Sequence, residues 1–395
     1  MVKGFKNTEV GVIPNDWVVK KIGQCLLKNP DYGINAAAVP FNENLPVYLR
    51  ITDINEDGNY SKKNLVSVNN ISSTSYYLQE GDLVFARTGA SVGKTYLYNP
   101  KDGKLVFAGF LIRVRANEEI LLPNYLKYFT QTKQYWDWIA ANSMRTGQPG
   151  INGNEYKEIS LPLPPTKAEQ TAIATALNDA DALINQLEQL LTKKQNIKTG
   201  AMQEVLKPKD GWEVKKLGEV VDINMGQSPD SKNYNSNQEG LPLLQGNADL
   251  DNRKQLIRFW TSQITKVCDD GDIILTVRAP VGSIGIAIQK SCIGRGVCSL
   301  KPKSVSKEFI YHLLIFKEKD WKILEQGSTF TSANSNQIYG FEIPIPKDRV
   351  DQTRIAQILS DMDNEIQELE KKIEKYKMIK QGMMQNLLTG KIRLM

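Results

Sequence analysis

The sequence predicts an α+β protein in which two mixed α/β domains alternate with two long helices. Three features support this class: a gap-free internal repeat, a coiled-coil spacing of apolar residues within each repeat, and short β-favouring runs outside it. The expected bounds are residues 1–165 for the first domain, 166–207 for the first helix, 208–348 for the second domain, and 349–395 for the second helix and C-terminal tail.

The internal repeat joins residues 161–206 to residues 343–388 without a gap, at an offset of 182. Identical positions include Gln170 with Gln352, Thr171 with Thr353, Asp181 with Asp363 and Lys198 with Lys380. A looser repeat precedes each copy, with "DWVVKKIG" against "GWEVKKLG" and "GDLVFARTGASVG" against "GDIILTVRAPVG". The chain order is therefore domain, helix, domain, helix.

Each helical repeat carries apolar residues at alternating spacings of four and three, which is typical of a coiled-coil seam. The seam positions are Ile173, Leu177, Ile184, Leu187 and Leu191 in the first copy and Ile355, Leu359, Ile366, Leu369 and Ile373 in the second. Because about three heptads is the lower limit for this pattern, a seam packed on its own globular domain stays an alternative.

Helices of this length have consequences for the arrangement of the domains. A helix of about 35 residues spans roughly 50 Å and would hold its flanking domains apart. If the two helices pair along their seams, they run antiparallel and the C-terminal "LLTGKIRLM" returns to the N-terminal "TEVGVIPNDW". We therefore expect a circular arrangement with pseudo-two-fold symmetry.

Within the domains, "LPVYLRITDI" (45–54) and "GDLVFAR" (81–87) predict strands, and helices are expected at 123–141 and near 307–326. The stretch "RTGASVGKT" (87–95) resembles a phosphate-binding loop, but Gly89 comes one residue too late for the G-x-x-x-x-G-K-S/T spacing. The residues after it alternate around an Asn-Pro-Lys-Asp-Gly turn, which predicts a hairpin instead of the helix that such a loop must open. We therefore do not expect a nucleotide-hydrolysing loop here.

Composition favours an ordinary globular protein, with 41% hydrophobic and 24% charged residues. No stretch approaches about 18 uncharged apolar residues, so neither secretion nor membrane spanning is expected and a cytoplasmic location is the default. The net charge of +6 is spread along the chain without a basic block. If the protein binds DNA, it must do so with local patches.

The four cysteines form no C-x-x-C pair, and His312 is the single histidine. These counts exclude the usual Cys/His zinc sets and every His-based catalytic triad. We expect buried free thiols and a packed or surface His312, with no metal site and no catalytic residue.

The motifs in their order resemble the specificity subunit of a type I restriction-modification system, from about residue 8 to the C-terminus. The matching pieces are "GVIPNDWVVKKIG", "YLRITDI", "GDLVFARTG", "LPLPP" with its following Glu-Gln, and the repeat "IPIP" with its following Asp-Gln. The resemblance implies a non-catalytic reader of double-stranded DNA, in which each domain recognises one half of a bipartite site and the helices set the gap. It also implies that methyltransferase subunits bind the helices, that restriction and motor subunits bind through them, and that S-adenosylmethionine and ATP bind those partners, so this chain needs no cofactor.

Candidate DNA contacts follow from side-chain chemistry, since Arg and Lys favour guanine, Asn and Gln favour adenine, and small polar groups hold phosphate. In the first domain they are Arg50, Thr52, Arg87, Thr88, Ser91, Lys94, Ser143, Arg145, Thr146, Gln148 and Asn152. In the second domain they are Gln245, Asn247, Arg278, Ser283, Ser328, Thr329, Thr331, Asn334 and Asn336, with Arg278 taken as the counterpart of Arg87. The alternative for any one of them is a solvated turn, and the alternative for the whole chain is a non-catalytic protein-protein scaffold.

Overall fold

The computed structural model describes residues 4–321 and 332–394. The chain forms two units: unit 1 is Met1–Leu187 with Lys372–Met395, and unit 2 is Glu188–Lys371. Each unit combines β-sheets with helices. The predicted α+β class is therefore confirmed.

Unit 1 has two four-stranded sheets and two antiparallel strand pairs within its described residues. In order across the first sheet, the strands are Asp31–Tyr32, Leu111–Arg115, Asp82–Ala86 and Thr95–Leu97. Across the second sheet they are Leu105–Phe107, Val47–Leu49, Val66–Val68 and Ala38–Pro40. The strand pairs are Phe5–Thr8 with Gly11–Pro14 and Val18–Lys21 with Ser160–Leu163.

The hairpin predicted after residue 94 is wrong. Thr95–Leu97 pairs with Asp82–Ala86, whereas Leu105–Phe107 crosses to the other sheet and pairs in parallel with Val47–Leu49. Leu105 and Phe107 are buried in one apolar cluster while Val106 is buried in another. Because both faces of this strand are covered, tertiary packing overrode the local turn pattern.

The helix predicted at 123–141 is present but divided. Unit 1 has helices Pro123–Phe129, Lys133–Asn142 and Gly153–Lys157, and 3-10 turns at Ile22–Cys25, Ile51–Asp53, Ile71–Tyr76, Gly89–Ser91 and Pro100–Asp102. The division lies at Thr132, whose side chain accepts a hydrogen bond from Tyr135 N and caps the second helix. The strand Thr95–Leu97 follows Lys94, where a phosphate-binding loop would require a helix.

Unit 2 has a six-stranded sheet, a five-stranded sheet and one antiparallel strand pair within its described residues. The six strands, in order, are Val221–Met225, Val297–Pro302, Ile273–Thr276, Ile284–Ile286, Lys254–Gln255 and Leu250–Asp251. The five are Tyr234–Asn235, Trp260–Thr261, Leu241–Leu244, Ser291–Ile293 and Val267–Cys268, and the pair is Trp212–Lys216 with Glu342–Pro346.

Short helices complete unit 2. They are Leu217–Val220, Lys307–Phe316 and Ser335–Tyr339, with 3-10 turns at Ser231–Asn233 and Asn247–Asp249. The helix predicted near 307–326 is confirmed over Lys307–Phe316, where Ser306 caps its first turn by accepting from Phe309 N. Residues 322–326 of that prediction lie outside the described residues.

Both predicted long helices are present, and we call Lys167–Val205 the first long helix and Arg349–Leu387 the second. In unit 1 an apolar cluster joins Ile173 and Leu177 to Met384 and Leu387. In unit 2 a second cluster joins Met202 and Leu206 to Ile355 and Leu359. In each unit the residue numbers rise on one helix as they fall on the other, so the segments pack antiparallel.

The seam is buried as its spacing predicts, because eight of the ten positions are buried and Leu191 and Leu369 are half-buried. Its first positions, Ile173 and Leu177 in unit 1 and Ile355 in unit 2, belong to the cores of their own units. The first positions of the seam therefore pack on their own globular domain, which was the alternative to a coiled coil. The later positions are buried or half-buried further along each helix.

A polar contact repeats with the sequence repeat. In unit 1 Lys380 lies 2.6 Å from Asp181, which also accepts a 2.8 Å hydrogen bond from the Tyr128 hydroxyl. In unit 2 Lys198 pairs with Asp363 in the same way. The identical residues of the two repeats thus bond crosswise, one pair in each unit.

His312 lies beside Asp363 in unit 2, as Tyr128 lies beside Asp181 in unit 1. His312 is buried, with Nε2 3.1 Å from Ser360 Oγ and Nδ1 3.8 Å from Asp363 Oδ2. Burial lowers the pKa of His312 to about 4, because the charged ring would lose its hydration. The prediction of a packed histidine is confirmed.

The chain end returns to the chain start within unit 1. Arg393 donates to Asp16 Oδ1 and Oδ2 at 3.0 and 2.9 Å and also pairs with Glu169 at the start of the first long helix. Leu388 shares a core cluster with Ile13 and Trp17. The predicted closure of the C-terminal segment on the N-terminal one is therefore present.

The four cysteines are free and buried, as expected. Burial raises the pKa of Cys268 and of Cys298 to about 12, since an ionised thiolate in an apolar core is costly. These thiols therefore have core-packing roles. Within the described residues, no helix is long and apolar enough to span a bilayer.

Candidate nucleic-acid interface

Two predicted loops of unit 1, residues 87–94 and 143–152, meet along their backbones. Gly89 N donates to Pro149 O at 3.0 Å and Ile151 N donates to Arg87 O at 2.9 Å, beside a bridge between Thr88 and Gly150. Sequence separation hides this contact, because 48 residues lie between the loops. The structure thus brings two predicted clusters into one surface, which we call the joined loops.

Arg87 is held over the ring of Tyr32, with its guanidinium carbon 4.9 Å from the ring centre. The Tyr32 hydroxyl accepts a 3.1 Å hydrogen bond from Gly153 N, so Tyr32 links both joined loops. Tyr32 as a whole is 41% exposed, so this pair lies at the protein surface. Sequence reasoning missed Tyr32, because one tyrosine in a short strand has no distinguishing pattern.

The other basic candidates of unit 1 are bonded to acids. Arg50 holds Asp53 by Nε at 3.0 Å and Nη2 at 2.7 Å, and the pairing raises the pKa of Arg50. Lys94 lies 2.6 Å from a Glu56 oxygen. Arg145 lies 2.5 Å from Glu155 Oε1 and also donates to the Asn142 and Met144 carbonyls at 3.1 Å. Each would have to exchange or share a protein partner in order to contact DNA.

The polar candidates of unit 1 divide by exposure. Thr52, Thr146 and Gln148 are exposed, while Thr88 and Ser91 are half-buried. Ser143 is buried, and Asn152 accepts from Asn154 N and Glu155 N as the cap of helix Gly153–Lys157. The last two have structural roles, and a DNA contact by either stays a prediction.

In unit 2 the hydrogen-bond pattern corrects the assumed counterpart of Arg87. Ala333 N donates to Val277 O as Ile151 N does to Arg87 O, and Arg278 bridges Ser332 as Thr88 bridges Gly150. Arg87 therefore corresponds to Val277, which is buried, and Arg278 corresponds to Thr88. The assumption was one residue off, because "RTGASVG" and "RAPVG" differ in length.

Each unit also has a β-turn beside this surface that sequence reasoning missed. Turn 108–111 of unit 1 closes with Leu111 N donating to Ala108 O at 2.8 Å, and turn 294–297 of unit 2 closes with Val297 N donating to Gly294 O at 3.2 Å. Arg87 N donates to Phe110 O, and Val277 N donates to Gly296 O. Unit 1 presents Phe110 on its turn, 59% exposed, whereas unit 2 presents an exposed Arg295.

A glycine presses against each of these turns. A Cβ on Gly33 would lie 2.2 Å from Ala108 O, and a Cβ on Gly226 would lie 2.1 Å from Gly294 O. Only a residue without a side chain permits that approach. Both turns are therefore held by backbone packing.

The loosely aligned segments at Arg50 and Gln245 prove to be structurally alike. Each follows a strand that pairs in parallel, and each backbone N donates to a buried aspartate, Arg50 N to Asp53 and Gln245 N to Asp249. In unit 2 the aspartate is neutralised by Arg258, 2.8 Å away. The side chain of Gln245 therefore does not pair with Asp249 in the way that the side chain of Arg50 pairs with Asp53.

The remaining unit 2 candidates are placed as follows. Asn247 and Asn336 are exposed and Ser283 is half-buried. Asn334 accepts from Gln337 N as a helix cap. Ser328, Thr329 and Thr331 lie outside the described residues.

The sequences of both units match a known family and its members. The family described as "Type I restriction modification DNA specificity domain" matches residues 14–199 and again 209–376. The chain is 32% identical to the MjaX type I restriction enzyme specificity subunit of Methanocaldococcus jannaschii, over 99% of this chain and 97% of that one. It is 27% identical to the MjaVIII specificity subunit of the same organism, over 99% and 96%.

Solved structures agree on the fold. One from a study of complex assembly and conformational transition of the type I restriction-modification system superposes with a TM-score of 0.62 at 24% identity, covering 96% of this chain and 99% of that chain. The type I restriction-modification S subunit from M. genitalium superposes with a TM-score of 0.63 at 16% identity, covering 94% and 96%.

Proposed function

Because this chain belongs to the type I restriction-modification DNA specificity family, we propose that it reads a bipartite DNA site, one half with unit 1 and the other with unit 2. The observation that carries this proposal is a surface that occurs once in each unit. In each unit it consists of a loop at the end of a strand, a β-turn and a 3-10 segment. The surfaces differ in chemistry, with Tyr32, Arg87 and Phe110 on unit 1 and Gln245, Arg278 and Arg295 on unit 2. Two different surfaces on one frame would read two different sequences.

The long helices are the proposed spacer and the proposed docking site for methyltransferase subunits. Exposed apolar side chains support docking: Met378 is 71% exposed in unit 1, and Ile358 is 39% exposed in unit 2. Ile379, next to Met378, is 43% exposed as well, and a partner protein bound here would cover both side chains. Restriction and motor subunits would join through the methyltransferase.

The chain itself acts without catalysis in this proposal. His312 is buried and bonded to Ser360, and the cysteines are buried thiols, so these groups support packing and not chemistry. The methyl donor and ATP would be bound by partner subunits.

A selection experiment tests the proposal. The full chain, co-expressed with the methyltransferase subunits of its own system, is incubated with randomised duplex DNA, and bound DNA is sequenced. We expect two short constant blocks separated by a fixed gap. A protein-protein scaffold would enrich no sequence, and that result would replace DNA reading with the scaffold alternative.

Single variants then locate the surface on unit 1. Arg87→Ala should weaken binding of the selected duplex and leave unrelated DNA unaffected, since base contacts specify sequence. Lys133→Ala is the control, because Lys133 is an exposed cation that pairs with Asp137 of its own helix and belongs to neither of the joined loops.

A further inference from the structure

Two arginines of unit 2, Arg278 and Arg295, are exposed and adjacent in the backbone network. The hydrogen bond from Val277 N to Gly296 O, 2.9 Å long, continues the antiparallel pairing of the strands on either side. Arg278 follows one end of this bond and Arg295 precedes the other. The two guanidinium groups therefore emerge from neighbouring backbone positions.

Neither guanidinium has an acid or a carbonyl partner among residues 4–321 and 332–394. The contrast lies within the same unit, where Arg253 pairs with Glu318 and Arg258 pairs with Asp249. Like charges on neighbouring strands repel, so a pair without a compensating acid is unfavourable in the free protein. A ligand that accepts hydrogen bonds from both would relieve this cost.

The backbone that carries Arg295 is held firmly although its side chain is free. Arg295 N donates to Ser228 Oγ at 3.0 Å, and Ser228 Oγ in turn lies 3.4 Å from Gln245 Oε1. A Cβ on Gly296 would lie 1.9 Å from Gln245 O, so the turn is pressed against the Gln245 backbone. A polar reading group on a rigid base is what discrimination between bases requires.

On the basis of the proposed function, we propose that Arg278 and Arg295 read guanine in the half-site bound by unit 2. A guanidinium donates two parallel hydrogen bonds to guanine O6 and N7 in the major groove, which is the commonest base-specific contact. On unit 1 Arg50 and Arg145 are bonded to carboxylates and the turn presents Phe110, which leaves Arg87 over the ring of Tyr32 as the candidate arginine of that surface. The half-site bound by unit 2 should therefore contain guanine read by a pair of neighbouring arginines.

The experiment uses the full chain with its methyltransferase subunits and the duplex selected by the wild type. Each guanine is replaced singly by 7-deazaguanine, which lacks the N7 acceptor, and affinity is measured for the wild type, Arg278→Ala, Arg295→Ala and Arg295→Lys. Lys290→Ala is the control, since Lys290 is an exposed cation at the other end of strand Ser291–Ile293. Retention of the methyltransferase subunits and the melting temperature show that each variant folds.

We expect 7-deazaguanine at a guanine of one half-site to weaken wild-type binding about tenfold or more. The same replacement should change Arg295→Ala binding little, because the contact is already lost. Arg295→Lys should restore binding only in part, since an ammonium group lacks the planar fork that matches guanine O6 and N7. Lys290→Ala should respond to 7-deazaguanine as the wild type does.

Two results would overturn the inference. The first is that Arg295→Ala lowers affinity equally for every duplex and makes the affinity less dependent on salt, while Arg295→Lys restores it fully. That combination would identify a phosphate contact. The other is a selected site in which no guanine responds to N7 removal. Failure of the wild type to select any site would remove the proposed function itself, and this inference with it.

Discussion

At the level of single residues, the acids that accompany the basic side chains distinguish the two proposed DNA-reading surfaces. Asp53 and Asp249 occupy the same place in their units, each accepting a backbone N–H at the start of a 3-10 segment. In unit 1 the neutralising arginine is Arg50 itself, whereas in unit 2 it is Arg258 from a separate segment. The residue that starts the segment is thus an arginine paired with the aspartate in unit 1 and, in unit 2, a glutamine whose side chain leaves the aspartate to Arg258.

His312 provides a prediction about pH at the same scale. Its pKa is about 4 when folded, against an ordinary value of 6.5, because burial outweighs the attraction of Asp363 and Glu308, and Lys198 repels the proton. Above pH 6.5 both states are neutral at this residue, and between pH 6.5 and 4 only the unfolded chain binds the proton. The histidine therefore makes the free energy of unfolding fall as pH decreases through that window, and its effect is complete below about pH 4.

His312→Gln should remove this contribution while retaining a group that can bond Ser360. We expect the stability of the variant, relative to the wild type, to rise as pH falls from 6.5 to 4 and to be constant above 6.5. Thermal melts of both proteins across the range measure it, and the carboxylates common to both cancel in the difference. Parallel pH profiles would show that the folded His312 titrates near its ordinary value.

At the scale of elements, the crosswise lysine-aspartate pairs hold the long helices in register within each unit. Asp181 has Lys380, Lys127 and the Tyr128 hydroxyl as partners, at 2.6, 3.7 and 2.8 Å. Asp363 has Lys198 and, at 3.8 Å, a neutral His312. The unit 2 aspartate thus depends on one charged partner.

Lys198→Met should therefore destabilise the protein by about 1–2 kcal/mol, since it leaves a half-buried carboxylate without a cation. Lys380→Met should cost less, because Asp181 keeps Lys127 and Tyr128. Lys193→Met, at an exposed position of the same helix with no partner among the described residues, is the control. Chemical denaturation measures all three, and equal losses for Lys198→Met and Lys193→Met would contradict the pairing argument.

The glycine-braced turn gives a second prediction for an element. Gly226→Ala would place a Cβ 2.1 Å from Gly294 O, so turn 294–297 must shift. We expect a loss of about 1–3 kcal/mol in stability from overpacking, together with weaker binding of the selected DNA. Gly246→Ala is matched, because its Cβ would meet nothing within 4 Å. If both variants bind and melt as the wild type does, the turn is not held by this contact.

At the scale of the whole molecule, the proposed spacer predicts how site geometry follows helix length. Inserting four residues at equivalent positions of both long helices adds about 6 Å to each, which is close to two base pairs of DNA. Selection from randomised DNA should then return the same two blocks with a gap longer by about two base pairs. The same insertion in one helix alone should impair folding, because the seam loses its register. An unaltered gap in the double insertion would exclude the ruler.

Features that depend on periodicity and repetition could be predicted from the sequence. The 182-residue offset and the four-three spacing predicted both long helices, their antiparallel packing and the return of the C-terminal segment to the N-terminal one. Side-chain chemistry singled out the loops at 87–94 and 143–152 as candidate DNA contacts. Spacing and repetition can be recognised in the linear sequence, without knowing which distant residues are in contact.

The availability of side chains at the candidate site depends on tertiary contacts. Arg50, Lys94 and Arg145 look alike in sequence to Arg278 and Arg295, yet the first three are bonded to acids and the last two have no such partner among the described residues. Likewise Leu105–Phe107 left its predicted hairpin, and Arg278 proved to match Thr88. Ion pairing and strand register depend on residues far apart in the chain that folding brings within a few ångströms, and local sequence carries no record of that distance.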